Sequence, residues 1–320
     1  MSDPLPEETV DVVVIGGGAA GLNGALMLAR SRRSVVVIDS GTPRNAPAKA
    51  MHGFLVLDGM APDELLRRGR EQVRGYGGLV VSGEVVAVEP GAEGDLRFGV
   101  TLADGRRLTA RRVLVATGLR DVLPEVPGLA RHWGGSVVHC PYCHGWEVRD
   151  EPIGVLATGP ASVHHALLFR QLTEDLVYFT GTTDLDADTR ARFAARGIRV
   201  VDTPVTEVVD DGTGALSGVR LADGQVVARR VLAVASRLEA RTEGLTELGL
   251  PLEELPDGVG RRYASGAAGT TDVPGVWVAG NATDLTAQVG AAAAAGALAG
   301  AHINALLALA DTDSALAAHT

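Results

Sequence analysis

The chain has 320 residues, of which 46% are hydrophobic and 21% are charged, and its formal net charge is −10. This length and composition predict a globular protein of two domains. Nucleic acids and anionic membranes attract clustered lysine and arginine, so the acidic balance predicts no nucleic-acid partner and no membrane partner. The two cysteines are three positions apart, which excludes the disulfide framework of a small secreted domain and indicates redox or metal chemistry in a reducing compartment.

Two segments bear on the cellular location. The first nine residues contain acidic side chains but no lysine or arginine, unlike a signal peptide, so we expect a cytoplasmic protein. Residues 289–310 approach the length of a membrane span, but alanine is weakly hydrophobic, and His302 and Asn304 interrupt the run. We therefore expect a buried or half-buried helix of a soluble domain there.

The first part of the chain alternates strand and helix signals. A strand is predicted at 10–15, a glycine turn at 16–21, a helix at 22–30, and a strand at 34–38 that ends at Asp39. An amphipathic helix at 61–76 and strands at 79–88, 98–102 and 113–116 complete one nucleotide-binding unit.

A weak internal repeat begins near Pro152. A strand is predicted at 153–156, a turn at 158–161, a helix at 163–172, and strands at 176–179, 198–201, 219–221 and 231–235. A loop-rich stretch at 239–271 leads to a strand at 275–279, from which the chain returns to the first unit. The predicted fold class is α/β, with two Rossmann-like, doubly wound nucleotide-binding domains formed by residues 1–122 with 250–320 and by residues 123–249.

A glycine turn, Gly16-x-Gly18-x-x-Gly21, lies between the first strand and the first helix and includes Ala20. Its glycines permit a tight turn and the close approach of a pyrophosphate, which the free N–H groups of the helix N-terminus can bind. Asp39, at the end of the next strand, is placed to accept hydrogen bonds from a ribose. A plain glycine turn is the alternative, but the order of strand, turn, helix and acid favours dinucleotide binding.

Cys140 and Cys143 form a Cys-x-x-Cys motif that His139 and His144 flank. At a helix start the N–H groups stabilise one thiolate, which makes thiol–disulfide exchange fast. A zinc site is disfavoured, because four ligands within six residues can hardly surround one tetrahedral ion, so we expect no metal. The Pro-Tyr pair between the cysteines is also typical of glutaredoxins, in which the motif follows the first strand of a short chain. Inert thiols and a structural disulfide stay open as alternatives.

Two further turns, Ala116-Thr117-Gly118 and Gly280-Asn281, complete the pattern. In the order and spacing of its motifs, the chain resembles the low-molecular-weight thioredoxin reductases over nearly its whole length. The resemblance implies a discontinuous domain that binds FAD through these turns and a second domain of the NAD(P)H type. The family usually has aspartate where Asn281 stands.

The same resemblance implies the roles of the remaining residues. Cys143 would lie against the flavin and Cys140 would exchange with the substrate. Gln288 and Val289 match the helix start that meets the flavin and stabilises negative charge on it through the helix dipole. A homodimer is also implied.

The second domain departs from the NADPH-binding pattern. Ala157 and Thr158 stand where glycines are expected, and Pro160 removes an N–H from the helix start. The sequence after the next strand, residues 180–184, contains an acid and no arginine or lysine to bind a 2′-phosphate. NADPH is therefore doubtful as a cofactor, although Arg190 or Arg192 could reach back to a phosphate.

His144 stands where thioredoxin reductases typically carry an aspartate. A neutral imidazole suits proton transfer near pH 7, and His139 is a second candidate for that role. His144 and the eroded second domain together resemble the dithiol oxidases of the gliotoxin and holomycin type. Trp133, Tyr142 and Trp146 form a candidate apolar wall for such a substrate, or pack at a domain interface.

These features predict an FAD-dependent enzyme that oxidises a dithiol to its disulfide through Cys140 and Cys143 and passes the electrons to O₂. The substrate would be a small-molecule dithiol or a thioredoxin-like protein. The first alternative is a disulfide reductase that takes electrons from NADPH or another carrier. The second is a non-catalytic flavoprotein that senses redox state.

Overall fold

The protein is described from a computed structural model that covers residues 4–92, 96–181 and 183–319. It is a mixed α/β protein of two units. Each unit has a parallel sheet at its centre, with helices packed against it. The predicted α/β fold class with two Rossmann-type units is confirmed.

The first unit is built on β1, whose six residues are almost entirely buried. Parallel partners flank β1 on both sides, β2 and β6, and the sheet runs in the order β3-β2-β1-β6-β5-β4, with β19 also paired to β6. The bounds are β1 Val10–Ile15, α1 Ala19–Arg30, β2 Val35–Asp39, α2 Pro62–Gly75, β3 Leu79–Ser82, β4 Val85–Pro90, β5 Phe98–Leu102, β6 Arg107–Val115 and β19 Val276–Val278. The single strand predicted at 79–88 is two strands, which are separated at residues 83 and 84 and pair with β2 and β5 respectively.

The second unit has a parallel sheet in the order β11-β10-β9-β15-β8, and an antiparallel layer in the order β12-β13-β14 lies beside it. The bounds are β7 Leu119–Val122, β8 Val137–Val138, α3 Pro141–His144, β9 Ile153–Leu156, α4 Ala161–Phe169, β10 Leu176–Phe179, α5 Ala187–Ala195, β11 Arg199–Val201, β12 Val205–Asp210, β13 Leu216–Leu221, β14 Val226–Ala228 and β15 Val231–Val234. The carboxyl ends of β8 and β15 lie side by side, next to the cysteine pair.

The chain crosses between the units twice, and the two crossings pair with each other. Strand β16, Arg237–Ala240, runs antiparallel to β7 and also pairs with β18, Gly260–Tyr263, which pairs with β17, Leu252–Glu254. Ala240, Leu245 and Leu248 pack in the core of the first unit. The return to the first unit therefore begins at β16, ahead of the predicted boundary at residue 250. The stretch predicted to be loop-rich contains β17 and β18.

The last helix, α6 (Val289–Ala317), lies against α1. Glycine permits this close approach, because a Cβ on Gly296 would lie 1.9 Å from the carbonyl oxygen of Ala20 and one on Gly300 would lie 2.6 Å from that of Gly24. Within the described residues this helix alone is long and apolar enough to cross a membrane, a criterion of length and composition only. One face of it is buried by the first unit, including Ile303 and Leu307, so the helix is half-buried.

Candidate active site

The glycine turn at the carboxyl end of β1 is shaped by close backbone contacts. Gly16 has φ +107°, and a Cβ there would lie 2.3 Å from the carbonyl oxygen of Ala116. A Cβ on Gly21 would lie 1.9 Å from the carbonyl oxygen of Gly16. At Gly18, by contrast, no described atom lies within 4 Å of the Cβ position. Gly16 and Gly21 thus close the turn, and Gly18 leaves space in front of it.

The free N-terminus of α1 faces a cleft of about 1040 Å³ that runs from this turn to the cysteine pair. No described side chain caps that helix end, so its first N–H groups are free for a phosphate. The cleft brings together most of the residues predicted from the sequence, namely Gly16, Gly18, Ala20, Asp39, Ala116, Thr117, Gly118, His139, Cys140, Cys143, His144, Asn281, Gln288 and Val289. Gly21 and Gly280 lie outside its lining and have packing roles, since a Cβ on Gly280 would lie 2.7 Å from the Cβ of Ala20.

Asp39 is held by two donors. The N–H of Gly41 donates to one carboxylate oxygen at 3.2 Å, and Arg70 donates to the other at 2.7 Å. Lone pairs on both oxygens stay available to ribose hydroxyls. Arg70 has no sequence signal of its own, because α2 brings it to Asp39 from 31 positions away.

Asn281 fixes the segment that precedes α6. Its amide donates to the carbonyl oxygens of Asp284 at 2.9 Å, Leu285 at 3.4 Å and Ala287 at 2.9 Å. A carboxylate could not donate these bonds, which gives the departure from the family's aspartate a physical reason. The amide oxygen stays available to a ligand, and Gln288, the N-cap of α6, lies at the same end of the cleft.

Cys140 and Cys143 are joined by a disulfide at the start of α3. Both residues are half-buried and line the cleft. The backbone N–H of Cys143 donates to the Sγ of Cys140 at 3.1 Å, an interaction that stabilises negative charge on that sulfur when the disulfide opens. The described residues hold no cluster of three or more candidate metal ligands.

His144 follows the second cysteine and is half-buried in the cleft. Burial lowers its pKa, the charge of Glu147 opposes this shift, and His52 adds to it. His144 is therefore neutral at pH 7 and can accept a proton.

His52 was not predicted from the sequence, yet it lines the same cleft. Its two ring nitrogens lie 3.4 Å from carboxylate oxygens of Asp58 and Glu147. The contact with Glu147 ties the loop after β2 to the segment that follows α3. A lone histidine in a loop gives no sequence signal for such a contact.

His139 lines the cleft immediately before Cys140. Burial lowers its pKa, and the nearby charge of Arg44 lowers it further, against the opposing effect of Asp121. The side chain is thus a neutral imidazole at pH 7, like that of His144.

The three aromatic residues do not form one wall. Trp133 is half-buried and lines the cleft while it packs on the core of the second unit. Tyr142 lines the cleft at an exposed position. Trp146 is absent from the lining and exposed, and the guanidinium of Arg149 lies 4.1 Å from its ring centroid.

Two N–H donors of the glycine-poor turn in the second unit are engaged. The N–H of Thr158 donates to the Oγ of Ser162 at 3.0 Å, and the N–H of Ser162 donates to the carbonyl of Gly159 at 3.0 Å. Pro160 has no N–H to offer. The carbonyl oxygen of Asp257, from the loop between β17 and β18, lies 3.5 Å from the Cβ position of Gly159.

The arginines that could have reached a 2′-phosphate are paired with acids. Arg190 donates to Asp202 at 2.7 Å, and Arg192 pairs with Asp188 at 2.8 Å one turn away on α5. Thr182, in the segment 180–184, lies outside the described residues.

Comparison with known proteins gives the same assignment as the geometry. The model of the pyridine nucleotide-disulphide oxidoreductase family matches residues 10–297. The thioredoxin reductase tcpT of Claviceps purpurea is 36% identical over 258 residues, which cover 78% of this chain and 79% of that protein. The thioredoxin reductase sirT of Leptosphaeria maculans is 30% identical over 310 residues, which cover 92% and 93% of the two chains.

Solved structures agree over almost the whole chain. The crystal structure of HlmI superposes with a TM-score of 0.91 at 46% identity and covers 98% of each chain. An oxidoreductase from Agrobacterium tumefaciens superposes with a TM-score of 0.88 at 36% identity and covers 94% of this chain and 99% of that one. The resemblance to thioredoxin reductases is confirmed, and the glycine turn with its open space fits FAD. The chain belongs to the pyridine nucleotide-disulphide oxidoreductase family and is an FAD-dependent, thioredoxin reductase-like enzyme.

Proposed function

We propose that the enzyme oxidises a small-molecule dithiol to its disulfide and that O₂ is the final electron acceptor. The observation that supports electron flow from a dithiol to the flavin is the geometry of the turn between β9 and α4 in the second unit. Its N–H donors at Thr158 and Ser162 are engaged, and a carbonyl of the loop between β17 and β18 lies against Gly159. Each of these features opposes the binding of a pyrophosphate, so NADPH is a poor source of electrons.

The cysteine pair performs the exchange. A substrate thiolate attacks the Sγ of Cys140, the Cys140–Cys143 bond breaks, and Cys143 leaves as a thiolate. The second substrate thiolate then attacks the substrate sulfur of the mixed disulfide, which releases the cyclic disulfide product and the Cys140 thiolate. The N–H of Cys143 stabilises this leaving thiolate. The substrate loses two electrons and two protons, and the cysteine pair gains the electrons.

Return of the pair to the disulfide requires removal of those two electrons. Bound FAD would supply a two-electron acceptor that O₂ could reoxidise, with peroxide as the product. Gly16, Gly18 and Asp39 would hold its dinucleotide part, and Asn281 and Gln288 would contact its other end. His144, next to Cys143, would take up and release the proton of that thiol.

The runner-up function is the reduction of a thioredoxin-like disulfide with electrons from NADPH or another carrier. The names of tcpT and sirT favour it, since both are called thioredoxin reductases. The engaged turn and the paired arginines Arg190 and Arg192 disfavour NADPH as the donor.

We also propose that the enzyme is a homodimer. Leu298, Leu309 and Leu316 recur on one face of α6 and are each more than half exposed, at 58%, 61% and 67%. A second copy would cover this apolar stripe. Analytical ultracentrifugation of the wild type and of Leu309→Lys tests the proposal, which predicts a dimer for the wild type and dissociation for the variant. A monomeric wild type would contradict it.

The experiment that tests the oxidase function is aerobic turnover of dithiothreitol with oxygen consumption and peroxide recorded together. We expect the dithiol to be oxidised with a comparable amount of peroxide formed, and no turnover in Cys140→Ser or Cys143→Ser. Absence of dithiol oxidation in wild type that contains FAD would overturn the proposal.

A further inference from the structure

A chain of hydrogen bonds that joins the two units holds the ring of His139. Arg44 donates two bonds to Asp121, at 2.7 and 2.8 Å. The hydroxyl of Ser236 lies 2.7 Å from Asp121 and 3.2 Å from the Nδ1 of His139. Asp121 belongs to β7, and Ser236 lies between β15 and β16, so the chain follows the two crossings between the units.

The charge state of Asp121 determines which groups donate and which accept in this chain of hydrogen bonds. Burial alone would raise the pKa of Asp121, but the hydrogen bonds and charge of Arg44, with the hydrogen bond from Ser236, together outweigh burial and the pKa is lowered. The carboxylate is therefore ionised and can only accept. The hydroxyl hydrogen of Ser236 consequently points to Asp121, and an oxygen lone pair faces His139.

The remaining neighbours of Nδ1 fix the tautomer of His139. The carbonyl oxygen of Val234 lies 3.2 Å from Nδ1 and can only accept. The N–H of Ser236 lies 3.3 Å from Nδ1 but also donates to the carbonyl of Val234, at the shorter distance of 3.1 Å. Nδ1 thus has two acceptors and one shared N–H donor around it, and we assign the hydrogen to Nδ1, which leaves the lone pair on Nε2.

The second ring nitrogen of His139, Nε2, is available for proton transfer. No described residue forms a hydrogen bond to Nε2, and His139 lines the same cleft as Cys140. His165 holds the backbone of His139 through a hydrogen bond to its carbonyl oxygen. The titratable and charged groups that face His139 are Arg44, Asp121, and His165, whose pKa burial lowers to about 4.

We propose that His139 is the base for the substrate thiol that attacks Cys140, and that Ser236 and Asp121 are positioning residues that fix its tautomer. This assignment rests on the dithiol oxidation proposed above. Nε2 takes the proton of the substrate S–H group as the new bond to the Sγ of Cys140 forms and the Cys140–Cys143 bond breaks. His139 then serves the Cys140 side of the pair, while His144 serves the Cys143 side.

The tautomer is measured by nitrogen NMR of the holoenzyme with ¹⁵N-labelled histidine, without turnover. His139→Gln identifies the signals of His139. We expect Nδ1 to be protonated in the wild type, a mixture of tautomers in Ser236→Ala, and the wild-type pattern in Ser236→Thr. A proton on Nε2 in the wild type, or no change in Ser236→Ala, would overturn the positioning role.

The kinetic test is the rate of flavin bleaching by dithiothreitol without oxygen, as a function of pH. We expect the rate at pH 7 to fall about 100-fold in His139→Gln and at least about 10-fold in Ser236→Ala, with recovery in Ser236→Thr. The loss in His139→Gln should shrink at acid pH, where the wild-type imidazole is protonated. Ser217→Ala, which removes a hydroxyl bonded to the Val209 carbonyl, is the matched control and should retain the wild-type rate.

The outcomes separate the two proposals. If dithiothreitol bleaches the wild-type flavin but His139→Gln and Ser236→Ala keep the wild-type rate, only the assignment of His139 is wrong. If dithiothreitol fails to bleach the wild-type flavin, the oxidase function and the base assignment both fail.

Discussion

The two sulfur atoms of the redox pair have different surroundings. The Sγ of Cys140 accepts a hydrogen bond from the N–H of Cys143 at the start of α3. Cys143 itself lies within the helix and is followed by His144. A sulfur stabilised in this way suits repeated attack and release, which is the role proposed for Cys140.

Single serine variants distinguish the roles of the cysteines. In Cys140→Ser the remaining thiolate would lie against the flavin and produce a long-wavelength charge-transfer absorbance. In Cys143→Ser this absorbance should be missing, since in the proposed roles Cys140 faces the substrate and not the flavin. Absorbance spectra of the two holoproteins test this, and the reverse pattern would show that the roles are exchanged.

The pH dependence of turnover reports on His144. Its pKa is lowered by burial, so the neutral form persists below the usual value of about 6.5. We expect the ratio of wild-type to His144→Ala rates to be constant above this pH and to fall only in more acid solution. Equal FAD content in both proteins is the control, and a ratio that does not change with pH would contradict proton transfer by His144.

The hydrogen bonds of the Asn281 amide lead to a prediction about the stability of the fold. In Asn281→Asp a carboxylate would face three carbonyl oxygens that the amide now binds, which should lower the free energy of unfolding by about 1–3 kcal/mol. Asn304→Asp is the matched control, because Asn304 accepts a hydrogen bond from Arg33 and aspartate can accept it too. Urea unfolding measures both variants, and equal stability of the two would contradict this role of the amide.

At the level of secondary-structure elements, two glycines of the glycine turn have different roles. Gly21 is needed for the fold, whereas Gly18 leaves room for the cofactor. A Cβ on Gly21 would overlap the carbonyl oxygen of Gly16, whereas one on Gly18 would enter the open cleft. We therefore expect Gly21→Ala to lower the melting temperature of the apoprotein and Gly18→Ala to preserve it. Both variants should bind FAD more weakly, as measured by titration of the apoprotein, and tight FAD binding by Gly18→Ala would contradict the placement of the pyrophosphate.

The elements that were predicted from the sequence are those with a local signal. Strand β1 and the first helix follow from a β-branched run and a glycine turn, and β9 and β10 have the predicted bounds. Strands β16 to β18 were missed because they contain charged residues that form ion pairs, such as Arg237 with Glu239 on the same strand and with Glu254 on β17. Hydrophobic periodicity cannot detect strands of this kind.

The residues of the candidate site also fall into those with a local sequence signal and those without one. The cysteine pair and the FAD turn are short motifs, so the sequence alone predicts them. His52 and Ser236 have no such signal, because Glu147, which contacts His52, and Asp121, which contacts Ser236, are distant from them in the chain. Ser236 and Asp121 are 115 positions apart and meet only because β7 pairs with β16.

At the scale of the whole molecule, the two units differ at the turn between the first strand and the helix that follows it. In the first unit Gly18 leaves open space in front of the turn. In the second unit the turn between β9 and α4 is more occupied. This turn has engaged donors and lies against the loop between β17 and β18. The molecule can thus hold FAD next to the cysteine pair, and we propose that its second unit binds NADPH poorly. This asymmetry is the physical basis for assigning electron flow from dithiol to FAD.

The most direct test is rapid anaerobic mixing of the holoenzyme with either dithiothreitol or NADPH while the flavin absorbance is recorded. The proposed function predicts fast bleaching by the dithiol and far slower bleaching by NADPH. Admission of air should restore the absorbance and yield peroxide. Fast bleaching by NADPH with no response to dithiols would contradict the oxidase and establish the reductase in its place.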